Sequence, residues 1–266
     1  MKRNIFLIAI MVLLVFRVNA QNDTMYIMKN GVVINKQSVK PADVDSIIFF
    51  EPDSIDADGN VYNIITIGTQ VWMKENLKTT KYNDGTSIPL VTDTTEWSGL
   101  TTPAYCWYNN DPDQYKNTYG ALYNWEAVNT AKLCPTGWHV PTDAEWSTLE
   151  NFLIENGYNY NGSTSDNKIA KAMAGTAYWN SSLTEGTPGN NDYQSFRNKS
   201  GFTGLPGGSR ANDGKYSLVG QYGLWWSASE DFTYYAWYRS VYYDLGDVLR
   251  AYDFKLNGYS VRCLRD

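Results

Sequence analysis

Four short runs near the end of the chain restrict its possible folds more than any other feature: YGLWWSAS (222–229), AWYRSVYY (236–243), VLRAYDF (248–254) and YSVRCLR (259–265). Each is rich in aromatic and β-branched residues and is bounded by turn-forming segments, the pattern of antiparallel strands. Upstream the period changes. Trp146, Leu149 and Leu153 recur at helical spacing within 143–156; a second helix is expected at 119–131 and a short one at 167–174. Two strands are expected before them, at 61–68 and 70–77, around the Gly68-Thr69 turn. Helices followed by a run of strands place the domain in the α+β class. Residues 157–220 are rich in Gly, Asn, Ser and Thr, and long loops inside a domain are usually functional or disordered.

The N-terminus reads as an export signal. Lys2 and Arg3 precede an apolar run from Ile5 to Phe16, and Val18-Asn19-Ala20 offers a small-residue cleavage site before Gln21, the order that defines such segments. The run is too short to span a bilayer, and no later segment is apolar enough to do so. No cysteine lies at the cleavage point for a lipid anchor. A secreted or cell-surface location is expected for a chain with 1–20 as signal, 21–56 as a small β unit and linker, and 57–266 as the main domain. Within the small unit, MYIMKNGVVI sets Asn30-Gly31 between apolar runs, a hairpin signal. VDSIIFF (44–50) reads as a third strand and EPDSIDADGN (51–60) as the linker. Its Asp53, Asp56 and Asp58 lack the glutamate at the twelfth position that a helix-loop-helix calcium site needs.

Composition narrows the function classes. The chain is 15% aromatic, with 10 Trp and 21 Tyr, and only 19% charged, against about a quarter charged in an average domain. Such a texture suits recognition. A net charge of −6 argues against a nucleic-acid partner, whose backbone requires a basic face.

Six phrases occur in order over 57–266: DGNVYNIITIGTQVWMKENL, YGALYNWEAV, CPTGWHVPTDAEW, GFTGLPGGSR, WWSAS and SVRCLRD. Together they resemble the Fibrobacter succinogenes major paralogous domain family, which is similar in fold to C-type lectins and to formylglycine-generating enzymes. The resemblance implies a C-type-lectin-like fold with two main helices, a twisted antiparallel sheet, long loops and neighbouring termini, in exported or surface proteins. C-type lectin folds commonly tie the region of the first helix to the last strand by a disulfide, which here implies Cys134 with Cys263 and leaves Cys106 over. Closing a loop of that length contributes on the order of 4 to 5 kcal/mol by the chain-entropy argument. The resemblance also extends to lectin-like proteins diversified by retroelements, whose variable residues occupy the corresponding C-terminal region.

GWHVPTDAEW (137–146) holds the single histidine, His139, and raises the question of catalysis. A Ser-His-Asp site needs a nucleophile and a carboxylate within reach of one imidazole, and no nucleophile-elbow phrase accompanies it. A zinc site needs further ligands, and no second histidine exists. Thr142 followed by Glu145 instead reads as a capping box, with Pro141 favouring an extended approach and Trp138 and Trp146 as anchors. Formylglycine-type chemistry implies a pair of reactive cysteines, which the Cys134–Cys263 bridge would consume. No catalytic residue and no cofactor is assigned; the enzymatic alternative is a carboxylate-dependent hydrolase of glycans or the cell envelope.

Binding is the favoured reading. Asp231, Tyr234, Tyr235, Trp237, Tyr242, Tyr243, Asp244, Arg250 and Tyr252 are the candidate contacts for an extracellular glycan or protein ligand. Alternation puts Ala236, Tyr238, Ser240 and Tyr242 on one face of a strand and Trp237, Arg239, Val241 and Tyr243 on the other; one face must be core, so about half the aromatics can meet a ligand. Calcium-dependent sugar binding is a narrower variant, with Asn109-Asn110-Asp111, Asn190-Asn191-Asp192 and Asn212-Asp213 as oxygen-rich loops. A purely structural surface module, with every aromatic in the core, is the remaining alternative.

Overall fold

A computed structural model describes residues 24–29, 32–38 and 54–266. Contacts divide the chain into two units, Met1–Glu51 and Pro52–Asp266. In the first, β1 (Thr24–Lys29) and β2 (Val32–Ser38) pair antiparallel with Lys29 opposite Val32, the register of a two-residue hairpin connection. The export signal at 1–20, the Asn30-Gly31 turn and the strand expected at 44–50 lie outside the described residues.

The second unit opens with β3 (Ile64–Ile67) and β4 (Gln70–Met73). Both are shorter than the runs 61–68 and 70–77, because beyond Met73 the backbone leaves β3 and Leu77 N–H donates to Val261 O at 2.8 Å. There follow α1 (Thr94–Ser98), β5 (Tyr105–Cys106), α2 (Pro112–Tyr119), β6 (Leu122–Tyr123), α3 (Trp125–Val128), β7 (Trp138–His139), α4 (Asp143–Glu155) and α5 (Ala170–Met173). After a long irregular stretch come β8 (Gly207–Arg210), β9 (Tyr216–Val219), β10 (Tyr222–Phe232), β11 (Tyr235–Tyr242), β12 (Val248–Phe254) and β13 (Leu264–Arg265). Small helices with several antiparallel sheets make the domain α+β. Among the described residues no helix is long and apolar enough to cross a membrane.

The helix expected at 119–131 is reduced to the single turn of α3, Trp125–Val128. Asp111 caps α2 through Gln114 N–H (3.0 Å) with Pro112 in the first turn, and Gly120 ends it at φ 77. No side chain fits there: a Cβ on Gly120 would lie 2.6 Å from Leu77 O. YGALYNW then becomes β6 and the start of α3, with Leu122, Tyr123 and Trp125 all buried, so its apolar density reflects central burial rather than one face of a helix. Among the described residues α4 is thus the one long helix. Its capping box is complete, since Thr142 Oγ1 accepts from Glu145 N–H and Glu145 accepts from Thr142 N–H at 2.7 Å. The short helix expected at 167–174 is α5.

Two sheets organise the core. One is ordered β3-β4-β13-β7; the other is β10-β11-β12. The run 259–265 was expected as a fourth neighbour of the latter, but Tyr259 through Leu264 are all buried, and the segment passes through the core by single bridges, Tyr123 to Tyr259 and Trp225 to Ser260, before β13 pairs with β4 and β7. β13 thereby brings the two ends of the domain together. Consecutive Trp225 and Trp226 point to opposite faces of β10, as strand alternation requires, and each enters a different core cluster. Trp225 packs against Trp146 and Phe202, and these in turn against Trp72, with ring separations from 4.8 to 6.4 Å across the group. Burying each such ring contributes about 4 to 6 kcal/mol as an upper estimate. Cys134 and Cys263 are bonded, with Cα atoms 6.0 Å apart.

Candidate ligand-binding surface

The pairing of β10, β11 and β12 decides which predicted contacts can act together. Tyr235 lies opposite Phe254, Trp237 opposite Tyr252, Arg239 opposite Arg250 and Val241 opposite Val248. Across β10, Trp225 faces Arg239 and Phe232 faces Tyr235, with register shifts after Trp226 and after Glu230. Extra residues in one strand at such bulges re-aim its side chains. One sheet face therefore carries, in order, Val241 and Val248, then Arg239 and Arg250, then Trp237 and Tyr252, then Tyr235, Phe254 and Phe232.

The near end of this face is core. Val241 and Val248 join the cluster beneath α4 and α5, and Arg239, fully buried, donates to Glu150 and Asp143 on α4, the latter at 2.7 Å. The far end runs out beyond the helix. Phe232 is 65% exposed, Tyr234 72%, Tyr252 51% and Phe254 40%, and Phe232, Tyr252 and Phe254 are joined through Tyr235 and Trp237. Tyr252 lies 6.4 Å from Phe232, 5.7 Å from Tyr235 and 5.6 Å from Trp237, and Tyr235 lies 4.8 Å from Phe254. Contiguous exposed apolar surface on a folded domain usually marks an interaction site.

Charge borders the rings. The Arg250 guanidinium stacks 3.6 Å from the centre of the Trp237 ring and donates to Asp143 at 2.8 and 3.0 Å. Asp143 at the start of α4 thus serves both arginines. Burial alone would raise its carboxyl, but hydrogen bonds from Arg250 and Arg239 outweigh burial and hold it below its usual value. Asp231 Oδ2 is closed off from solvent and has no hydrogen-bond partner among the described residues. On the opposite border Lys255 pairs with Glu230 and lies 4.6 Å from the Trp125 ring.

The nine residues singled out from sequence fall into two groups. Asp231, Tyr234, Tyr235, Trp237, Arg250 and Tyr252 gather at the far end. Tyr242, Tyr243 and Asp244 lie at the near end, about 23 Å along β11 from Tyr235 at roughly 3.3 Å per residue. There Tyr242 stacks on Tyr222 at 4.2 Å and touches Tyr243 at 4.6 Å, while Asp244 accepts from Ser182, which holds its carboxyl below the usual range. Sequence reasoning missed Phe232, Phe254 and Asp143. Phe254 was within reach, since Arg250, Tyr252 and Phe254 alternate along one strand; Phe232 depends on bulges and Asp143 on long-range packing.

The other candidate chemistries resolve into defined contacts. His139 is held between two carboxylates, Nδ1 at 2.6 Å from Asp266 and Nε2 at 3.0 Å from Glu145, so neither ring nitrogen faces a hydroxyl nucleophile. Cys106 is a buried thiol that desolvation pushes up to about 11, the opposite of an activated nucleophile. In the Asn190-Asn191-Asp192 loop a cation is already present: the buried Lys171 ammonium donates to the Asn190 carbonyl and to both the carbonyl and carboxylate of Asp192. Asn109 and Asn110 take left-handed φ values of 52 and 57, Asp111 caps α2, and Asp213 closes a turn onto Lys215. Among the described residues no group of three or more His, Cys, Asp or Glu is placed to hold a metal ion.

The family model described as Fibrobacter succinogenes major domain matches residues 65–265. No curated protein and no solved structure matches the chain.

Proposed function

The chain belongs to the Fibrobacter succinogenes major domain family, and from that premise we propose that it is an exported, cell-surface binding module of C-type-lectin-like fold, which recognises a glycan or protein ligand without transforming it. The observation that carries this reading is the contiguous outcrop of Phe232, Tyr235, Trp237, Tyr252 and Phe254 at the far end of the C-terminal sheet, with the exposed Tyr234 in the adjoining turn. Aromatic side chains offer large contact area at low entropy cost, and a sugar ring or an apolar side chain can lie on them. Arg250 and Asp231 supply charged and polar groups at the border, the arrangement of an apolar centre with a polar rim. The Cys134–Cys263 bridge suits an oxidising compartment.

The test is a binding screen of the intact chain against glycans and surface proteins, with and without calcium. Tyr252→Ala or Trp237→Ala is expected to weaken the ligand found by about tenfold or more, as truncation of a buried aromatic hot spot does, while Tyr242→Ala leaves it unchanged. A ligand insensitive to both far-end variants would overturn the reading, and turnover of a glycan substrate would replace it with the hydrolase alternative.

A further inference from the structure

Three arginines are fully buried among the described residues: Arg210, Arg239 and Arg262. A guanidinium removed from water needs acceptors for its N–H groups and a source of negative charge. Arg239 has both, in Asp143 and Glu150. Arg210 has no carboxylate, yet each nitrogen is satisfied: Nε donates to Gly214 O (2.9 Å), Nη1 to Val91 O (2.6 Å) and Nη2 to Thr92 O and Asp93 O (both 3.0 Å), with the Trp97 and Tyr216 rings at 4.4 and 4.9 Å.

Arg262 is incomplete. Nη1 donates to Phe202 O, and Nη2 to Asn76 Oδ1 at 2.7 Å and more distantly to Thr203 O at 3.5 Å. Among the described residues its Nε–H, closed off from solvent, has no acceptor, and no carboxylate forms an ion pair with it. Burial pushes this guanidinium down to about 9. Beside it lies a cavity of about 280 Å³ walled by Lys74, Glu75, Asn76, Asn198, Thr203 and Arg262. The Glu75 carboxylate in that wall acts on Arg262 only at a distance, its oxygens accepting from Asn63 N–H at 2.9 Å and from Asn63 Nδ2 at 2.8 Å. Lys74 makes no ion pair among the described residues. The wall also holds two residues in the left-handed region, Asn198 at φ 53 and Thr203 at φ 58, and for a β-branched threonine that conformation is a true outlier.

We propose that this cavity is a binding site for a small carboxylate ligand, whose oxygens gain charge from Lys74 and, as the wall yields on binding, reach the Arg262 Nε–H that is closed off from solvent here. A guanidinium N–H makes a charge-assisted hydrogen bond to a carboxylate as to a phosphate oxygen, and with Nη1 and Nη2 already bonded Arg262 has one N–H left to offer. A volume near the lower bound of small-molecule pockets, about 300 Å³, fits a single organic acid or one acidic sugar. The site shares no residue with the aromatic outcrop, so it stands or falls separately from the function proposed above.

The test uses the intact chain at constant ionic strength, titrated with acetate, glucuronate, glucose as the neutral counterpart, and sulfate. A ligand that binds only the folded state raises Tm with saturating dependence on concentration. Acetate and glucuronate are expected to do so, and glucose is not. In ¹⁵N spectra the Arg262 Nε–H resonance is expected to move along the same titration. Lys74→Ala, at the cavity wall rather than in the core, is expected to raise the half-saturating concentration about tenfold while the protein stays folded. The assignment is overturned if neither acid moves the Nε–H resonance, if sulfate acts as strongly as the carboxylates, or if Lys74→Ala leaves the titration unchanged.

Discussion

The two ends of the C-terminal sheet share one sequence texture and have opposite fates. At the near end Trp225, Arg239, Val241 and Val248 are buried beneath α4 and α5; at the far end Phe232, Tyr234, Tyr252 and Phe254 meet solvent. Neither aromatic content nor alternation distinguishes them, because both ends are aromatic-rich strands of the same hairpins. What distinguishes them is cover. α4 begins at Asp143, and Asp143 is the residue that pairs with both Arg239 on the covered side and Arg250 on the open side. The start of one helix therefore sets where core stops and surface begins.

The largest effects should separate the two ends by stability. Trp225→Ala removes a ring that is 1% exposed and is expected to cost about 3 to 5 kcal/mol. Arg239→Gln, which strands the buried Glu150 carboxylate, is expected to cost a similar 3 to 5 kcal/mol or so. Tyr252→Ala and Arg250→Gln at the open end are expected to cost about 1 kcal/mol or less, the range of exposed rings and exposed ion pairs. Urea denaturation of the four variants checks this. Should Tyr252→Ala prove as costly as Trp225→Ala, the far end is core, and both the comparison and the binding reading built on it fail.

The legibility of these features from sequence follows the range of the forces involved. The capping box at Thr142 and Glu145, the helix behind it and the three strands from Tyr222 to Phe254 were readable because turn chemistry and periodicity act over a few residues. Misreadings came where burial on all sides erases periodicity. YGALYNW looked like one long helix and YSVRCLR like a neighbour of β10 to β12 because both cross the core, YSVRCLR ending as β13 of the other sheet, while the true helix α2 was announced by Asp111-Pro112, a start signal that the apolar run downstream overshadowed. The Cys134–Cys263 bridge was implied by a family resemblance rather than by any local pattern. Which half of the strand aromatics lies open, and which arginine lacks a counter-charge, depend on residues a hundred positions away in sequence, such as Asp143 for Arg250, and no local pattern carries that information.

A moderate effect tests whether the start of α4 is the boundary. Thr142→Ala removes the hydroxyl that accepts from Glu145 N–H and is expected to cost about 1 kcal/mol. If the helix start positions Asp143, the same variant should also increase hydrogen exchange at Arg250 and Trp237 amides, while the amides of Val241 and Val248 stay protected. Uniform loosening of both ends would show that the cap supports the whole sheet and marks no boundary.

The smallest effect lies in pH, and its two limbs belong to the two sides of that boundary. Asp143 and Glu145 are held below their usual values: burial works against this, but the arginines for Asp143, and Thr142 with His139 for Glu145, prevail. A carboxylate depressed in the folded state contributes stability that is complete above its unfolded value, roughly 3.9 for Asp and 4.3 for Glu, and is lost as pH falls through the folded value. Glu150 is shifted the other way, because its deeper burial outweighs Arg239. Its contribution is complete below the unfolded value of roughly 4.3 and declines as pH rises from there through the raised folded value. Acidification from neutrality should therefore first raise the urea midpoint slightly and then, below about pH 4, lower it. Glu150→Gln should abolish the first limb and Asp143→Asn should flatten the second. A monotonic fall from neutrality that Glu150→Gln leaves unaltered would mean that Arg239 fully compensates the buried carboxylate, and the covered end would then be electrostatically as settled as the open one.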